Sequence, residues 1–564
     1  MTTGPSSPSK INQFIGLLAL ALILTTLNAF KPLVADDPLY LEYARQFSLH
    51  PSDPYAFNYL NTVQANTILV PPVAIYWLAA GIRILGMHVF LLKMWLLPFS
   101  MLFAFSIHSL LRRFAPKTEW PLVILTVLSP VFLPTLNFML DIPALGLYLA
   151  ALACFLGMEE RNQWAGAIVA GLVAGVAMQA KYTSIVVLPL IFVYGLMFRR
   201  MRAAILAICI AAGCFIGWEF VTAHLYGTSH FMSRYTRTEG TEPLFKIRLL
   251  IPLIGTLGGL APVIGMMGLG AIGASRRKVL AGTLLVLSGY VLLACLPEKY
   301  AVFIHAHDAP HQARLTLNNI LFGLYGLSLL AIIVLVIRNL LTHPSPAPVV
   351  ESGTGSGVLN WKPWHLSAER RIDWFLVLWL VVELGAYFVL SPFPAVRRLM
   401  GLTVVITLII GRVASRTWPG SDRDGYFRIL VPAGVALGLI FYAINFRDAW
   451  CDKEVTGLAA QTIRQEQPGA KIWFMGGWGF AYYAGQAGMD DVSRGAPHAG
   501  DWLVYNRNES FREQRPVPDG FALVKNEQVN DWLPLRNLDC FSAGRTAIEH
   551  LEGPRSRVDI YRYH

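Results

Sequence analysis

Apolar residues in this chain fall into long runs, divided by short turns in which Lys and Arg collect. A helix needs about 20 apolar residues to cross a bilayer core. That measure predicts thirteen spans, at roughly 14–30, 89–111, 120–139, 142–158, 164–180, 183–198, 203–224, 249–273, 279–296, 315–337, 372–391, 396–414 and 428–446. The first run follows Lys10, is long for a signal peptide and lacks an A-x-A cleavage site, so it reads as a retained anchor with its N-terminus inside. The run PPVAIYWLAAGIRILG (71–86) is short, opens with two prolines and carries Arg83. Parity decides its place. If it spans, the basic turns RRFAPK (112–117), RRMR (199–202) and SRRK (275–278) all face outward. If it lies along the interface as an amphipathic helix, all three face the cytoplasm, as the positive-inside rule requires.

After Arg447 the pattern changes. Residues 447–564 are polar, carry both charge signs and hold short apolar runs such as KIWFMGGWGFAYYAG, DWLVYN and GFALVK between turn residues. The expected fold is therefore a polytopic α-helical membrane body of about thirteen helices over residues 1–446, followed by a small C-terminal external α/β domain over 447–564. Within the body, 36–88 forms a first external loop with juxtamembrane helices. The stretch 339–371, rich in Pro, Gly and Ser, reads as a flexible cytoplasmic linker. No internal repeat of fixed period is evident.

Composition agrees. Of the 564 residues 55% are hydrophobic and 14% charged, against about 25% charged in soluble domains. The net charge of +11 sits in turns between spans, so it reflects topology rather than nucleic-acid binding. Six cysteines do not make a disulfide scaffold. Cys451 and Cys540 lie outside the spans, on an oxidising side, and a pairing between them is left open.

Ionisable residues near membrane depth are the first candidates for chemistry. Asp36 and Asp37 follow the first span, beside Tyr40, Glu42 and Tyr43. Asp141 stands between two apolar runs, two residues before Pro143. Both acidic sites also suit helix capping. Lys181 closes GLVAGVAMQA, and Arg397 and Arg398 follow SPFPAV, all where cations are disfavoured; a bound anion explains them, as does snorkelling. The loop EKYAVFIHAHDAPHQAR carries His305, His307, Asp308 and His311, residue types that suit a metal in a spacing that matches no signature. Trp478, Tyr482 and Tyr483 suit either sugar stacking or a domain core. External carboxylates supply a general base for a hydroxyl, and external cations stabilise a departing phosphate. Together they point to group transfer from a lipid-linked phosphate.

The ordered set DDPLYLEYAR, PPVAIYW, LDIPALGLYLAAL, AGLVAGVAMQAKYTSIVVLP and FPAVRRLMGL resembles the GT-C glycosyltransferases. The likeness is to the protein O-mannosyltransferase and lipid A aminoarabinose transferase type, in the RgtA/B/C/D-like bacterial branch, over about residues 11–415. The resemblance implies an inverting transfer of a sugar from a polyprenyl-phosphate donor to a lipid, glycan or protein acceptor. It implies a bacterial inner membrane, with the C-terminal domain periplasmic. Asp36 matches the catalytic carboxylate, Asp37 and Asp141 its acidic companions, and Tyr40 the motif's aromatic. Lys181, Arg397 and Arg398 match the region of the donor phosphate. No cofactor is required, and a divalent metal is left open. Three departures stand out. Asp37 replaces the usual Glu, Arg398 stands where Tyr is frequent, and Leu69-Val70 replaces the Glu-Lys of the aminoarabinose transferase. The rival readings are a multi-span transporter, against which speaks the lack of repeated halves, and a non-catalytic envelope-assembly protein.

Overall fold

The computed structural model describes residues 10–59, 63–68, 70–157, 162–235, 249–297, 300, 302–304, 315–342, 366–418, 420–507, 516–538, 540, 546–551 and 553–564. Among these, nine helices are long and apolar enough to cross a membrane, or ten if one bent pair counts as a single span. Two further apolar helices, Asp141–Gly157 and Tyr182–Met197, fall just short of that length. The body is thus a multi-span helical bundle. It departs from thirteen uniform spans in three places, each with a local cause.

The predicted span 120–139 is a helix only over Glu119–Val127. Pro130 and Pro134 follow, and proline cannot continue a helical hydrogen-bond ladder. Residues 129–140 are nevertheless all buried. Irregular backbone is tolerated at membrane depth only where protein surrounds and satisfies it. Here Asn28 Nδ2 donates to the Leu133 carbonyl at 2.6 Å and Lys31 Nζ to the Pro134 carbonyl at 2.5 Å. The polar residues at the end of the first helix therefore serve this segment.

The predicted span 249–273 is two helices, Leu250–Leu260 and Pro262–Ala271, bent by 79°; Pro262, without an N–H, starts the second. The last predicted span, 428–446, is the middle of one 47-residue helix, Gly420–Glu466. At 1.5 Å per residue it extends about 70 Å, well beyond a bilayer core. The change of composition at Arg447 falls inside this helix, which runs unbroken into the C-terminal unit.

Pro72–Leu85 is a 14-residue helix, about 21 Å long and too short to cross. It packs on Asp37–Leu49, and Arg83 Nε donates to the Ser48 carbonyl at 2.8 Å.

The C-terminal unit holds a five-stranded sheet in the spatial order 490–491, 472–475, 502–506, 556–563, 521–529. Strand Ile472–Met475 runs parallel to both neighbours, with helix Trp478–Gln486 following it, and the remaining pairs are antiparallel. Cys451, Val455, Ala459 and Ile463 of the long helix share a core with Ile472, Val504, Val558 and Ile560 of the sheet. This is why the helix stays ordered outside the membrane. Cys451 and Cys540 are both buried, and no disulfide joins them. Residues 343–365 of the expected linker, and His305, His307, Asp308 and His311, lie outside the described residues.

Candidate active site

The first helix ends at Phe30, and the chain turns sharply before Asp37–Leu49 begins. Ala35 sits in the left-handed region, at φ 44°, a strained conformation for a residue with a Cβ. Asp37 holds this turn: its N–H donates to the Val34 carbonyl at 2.9 Å, and its Oδ2 accepts from the Val34 N–H at 3.0 Å. Asp37 is fully buried. Burial raises its carboxyl above the ordinary value, against the pull of Lys93 and Lys31. Asp36 points the other way, and Arg397 Nη1 donates to its Oδ2 at 3.1 Å. The acidic pair is therefore divided. Consecutive residues at this tight turn face opposite sides: Asp36 lines the large cavity, and Asp37 is buried and closes the turn.

Asp141 opens helix Asp141–Gly157, and Lys181 stands between Gln163–Ala180 and the 3-10 turn Tyr182–Val186. The Lys181 ammonium pairs with the Asp141 carboxylate. Burial lowers Lys181 to about 8; Asp141 opposes that shift, while Arg398 and Arg397 add to it. Arg397 and Arg398 come from a single 3-10 turn before Met400–Thr417, and both guanidinium groups pack on the Phe393 ring, at 5.9 and 5.4 Å. Arg398 Nε is buried and has no hydrogen-bond partner among the described residues. Burial, with Arg397 beside it, lowers Arg398 to about 10. Tyr40 is buried next to Asp36, and its phenol is pushed above its usual range, by burial first and that carboxylate second.

Two cavities share Lys181, Arg397 and Arg398 as lining. The larger, about 1920 Å³, also takes in Asp36 and Tyr40. The smaller, about 90 Å³, takes in Asp141, Tyr148 and Glu383. The structure thus brings Asp36, Tyr40, Asp141, Lys181, Arg397 and Arg398 together. Among the described residues no group of three or more His, Cys, Asp or Glu side chains is placed to hold a metal ion.

Two features of the site escape sequence reasoning. One is Glu383, a lone carboxylate in the apolar stretch of Ala368–Leu390; a charge in such a stretch is itself a functional signal. The other is Trp473 and Tyr505 of the C-terminal unit, which join the sequence candidates Trp478 and Tyr482 in the far wall of the large cavity. Trp478 is left-handed, at φ 58°, and faces this space, while Phe480 fills the core beneath. Tyr483 accepts a hydrogen bond from the Leu33 N–H at 2.7 Å. A Cβ on Gly479 would lie 2.6 Å from the Leu33 carbonyl, so only glycine allows this approach. The aromatic motif is therefore part core, part cavity wall and part clasp on the turn that carries Asp36.

Residues 70–225 match the family described as dolichyl-phosphate-mannose-protein mannosyltransferase. No curated protein matches the sequence. Among solved structures, the chain resembles ArnT from Cupriavidus metallidurans bound to undecaprenyl phosphate, with 13% identity and a TM-score of 0.42 over 98% of each chain. The apo form of that protein gives 14% and 0.40 over 89% of this chain and 94% of that one. The archaeal oligosaccharyltransferase AglB from Archaeoglobus fulgidus gives 12% and 0.45 over 88% and 70%. The family match falls within the helical body and does not reach the C-terminal unit.

Proposed function

We propose that this protein transfers a sugar from a polyprenyl-phosphate donor to an acceptor hydroxyl at the periplasmic face of a bacterial inner membrane, with inversion at the anomeric carbon. The observation that carries this reading is the gathering of Lys181, Arg397 and Arg398 with Asp36 and Asp141 where two cavities meet. The family match over residues 70–225 supports the donor class. The basic turns at 112–117, 199–202 and 275–278, placed in the cytoplasm by the positive-inside rule, support the orientation.

The three cations outnumber those two carboxylates, and among the described residues Arg398 keeps a donor without a partner. An incoming phosphodiester supplies the missing acceptor. As its oxygens engage Arg397, the contact between Arg397 and Asp36 loosens and the Asp36 carboxylate becomes a base. Asp36 then takes the proton of the acceptor hydroxyl. The acceptor oxygen forms a bond to the anomeric carbon while the bond from that carbon to the phosphate oxygen breaks. The electron pair leaves with polyprenyl phosphate, whose added negative charge Lys181, Arg397 and Arg398 stabilise. One displacement from the face opposite the leaving group inverts the centre. A cavity of about 1920 Å³ exceeds the roughly 300–1,000 Å³ of ordinary small-molecule pockets, which suits a site that holds a donor head and an acceptor together.

The test is transfer from radiolabelled polyprenyl-phosphate sugars in membranes that contain the wild type or Asp36→Asn at equal expression. Loss of a general base lowers rates by about 10²–10⁴-fold, and that loss is expected here. Full transfer by the Asn variant removes Asp36 from its role.

A further inference from the structure

The small cavity contains a carboxylate that the transfer chemistry leaves unused. Glu383 lies on Ala368–Leu390, an otherwise apolar helix in its second half. Its Oε1 accepts from the Tyr148 hydroxyl at 2.6 Å and from Trp379 Nε1 at 3.2 Å. Its Oε2 lies against Gly401, where a Cβ would stand 2.4 Å away. Among the described residues Glu383 makes no ion pair. A carboxylate inside a helical membrane body is costly without a purpose, and two neutral donors on one oxygen leave the other with acceptor capacity. Glu383 and Gly401 both line the cavity, whose remaining charged wall is Asp141, Lys181, Arg397 and Arg398. Its volume of about 90 Å³ admits several water molecules, or one edge of a pyranose ring.

We propose that this cavity is the recognition pocket for the donor sugar, and that Glu383 selects it by accepting a hydrogen bond from a ring hydroxyl or an ammonium group. The inference rests on the reading of the three cations as the donor-phosphate site. A sugar linked to a phosphate held there is within reach of the pocket, with its anomeric carbon towards the large cavity and Asp36. Tyr148 and Trp379 hold the carboxylate in place, and Gly401 makes room for it. Glu383 is thus a specificity residue and takes no part in bond making.

The experiment measures binding of three probes to the purified full-length protein in nanodiscs: undecaprenyl phosphate, the same lipid carrying a neutral hexose, and the same lipid carrying an amino sugar. Glu383→Gln is expected to keep wild-type affinity for the bare lipid and to lose about ten- to a hundredfold for a sugar-loaded one. Loss confined to the amino sugar identifies an ammonium ligand, and loss with the neutral hexose a hydroxyl. Gly401→Ala and Tyr148→Phe, which displace or release the carboxylate without removing it, are expected to give the same sugar-selective loss in weaker form. Equal weakening for all three probes, or none, in Glu383→Gln overturns the proposal while the phosphate site stands. A wild type that binds none of the three overturns the phosphate site, and this pocket with it.

Discussion

At the residue scale, Asp36 and Asp37 are neighbours with different surroundings. Asp36 faces the cavity and Arg397, whereas Asp37 is sealed beneath the turn. Asp37→Asn keeps an oxygen that can accept from the Val34 N–H, so it is expected to retain transfer within about tenfold of wild type, against the 10²–10⁴-fold loss for Asp36→Asn. Parallel assays of the two variants check this, and equal losses would mean that both carboxylates reach the substrate. Lys181 supplies a second test. Held at about 8, it loses its charge as pH rises through that value, so donor KM is expected to climb there. Lys181→Arg, charged throughout, should lack that limb. Stability has the opposite sign. An ammonium whose folded value lies below its ordinary value of about 10.4 costs stability at low pH, and that cost fades as pH rises from about 8. A profile in which KM stays flat to pH 9 removes Lys181 from the donor site. The candidate residues were legible because each is an ion at the end of an apolar run. Their pairing was not, because Asp36 and Arg397 are 361 positions apart.

At the element scale, hydropathy located the apolar segments and could not tell a helix from a buried irregular stretch. Residues 129–140 are as apolar as a span, yet their prolines break the helix, and Asn28 and Lys31 on another element satisfy the freed carbonyls. The long helix Gly420–Glu466 closes over the same region. A Cβ on Gly438 would stand 1.9 Å from the Leu128 carbonyl, so the two backbones touch where the shorter helix ends. Small residues permit such approaches between membrane helices. Gly438→Val should therefore destabilise the protein by about 1–3 kcal/mol through overpacking, read as a lower melting temperature in detergent. An unchanged melting temperature would show that the contact can relax at no cost.

At the scale of the whole molecule, the C-terminal unit is a wall of the site. It is fastened to the body by the Tyr483 clasp on Leu33 and by the long helix, to which Arg555 ties the rest of the unit. Arg555 is 1% exposed, pairs with Asp448 and donates to the Leu533 and Leu535 carbonyls at 2.6 and 2.9 Å. Removing one partner of a buried pair costs about 3–5 kcal/mol. Arg555→Ala is therefore expected to loosen the C-terminal unit first, giving faster proteolytic release of a C-terminal fragment from an intact helical body, with transfer lost. A wild-type digestion pattern would show that the unit is held by other contacts.

The sequence by itself determined the class of molecule and the positions of its ions. Apolar run length sets what enters a bilayer, and the cost of charge at that depth makes each exception visible. It also carried the prolines that break two spans and the glycines that allow close approach, although their effect depends on what lies opposite. Only the tertiary structure decided which ions meet, which of two adjacent aspartates faces the cavity, and that aromatic residues beyond position 470 enclose a site begun at Asp36. Those relations join residues hundreds of positions apart. They follow from how helices pack and chains turn, which the pattern along one chain does not encode position by position.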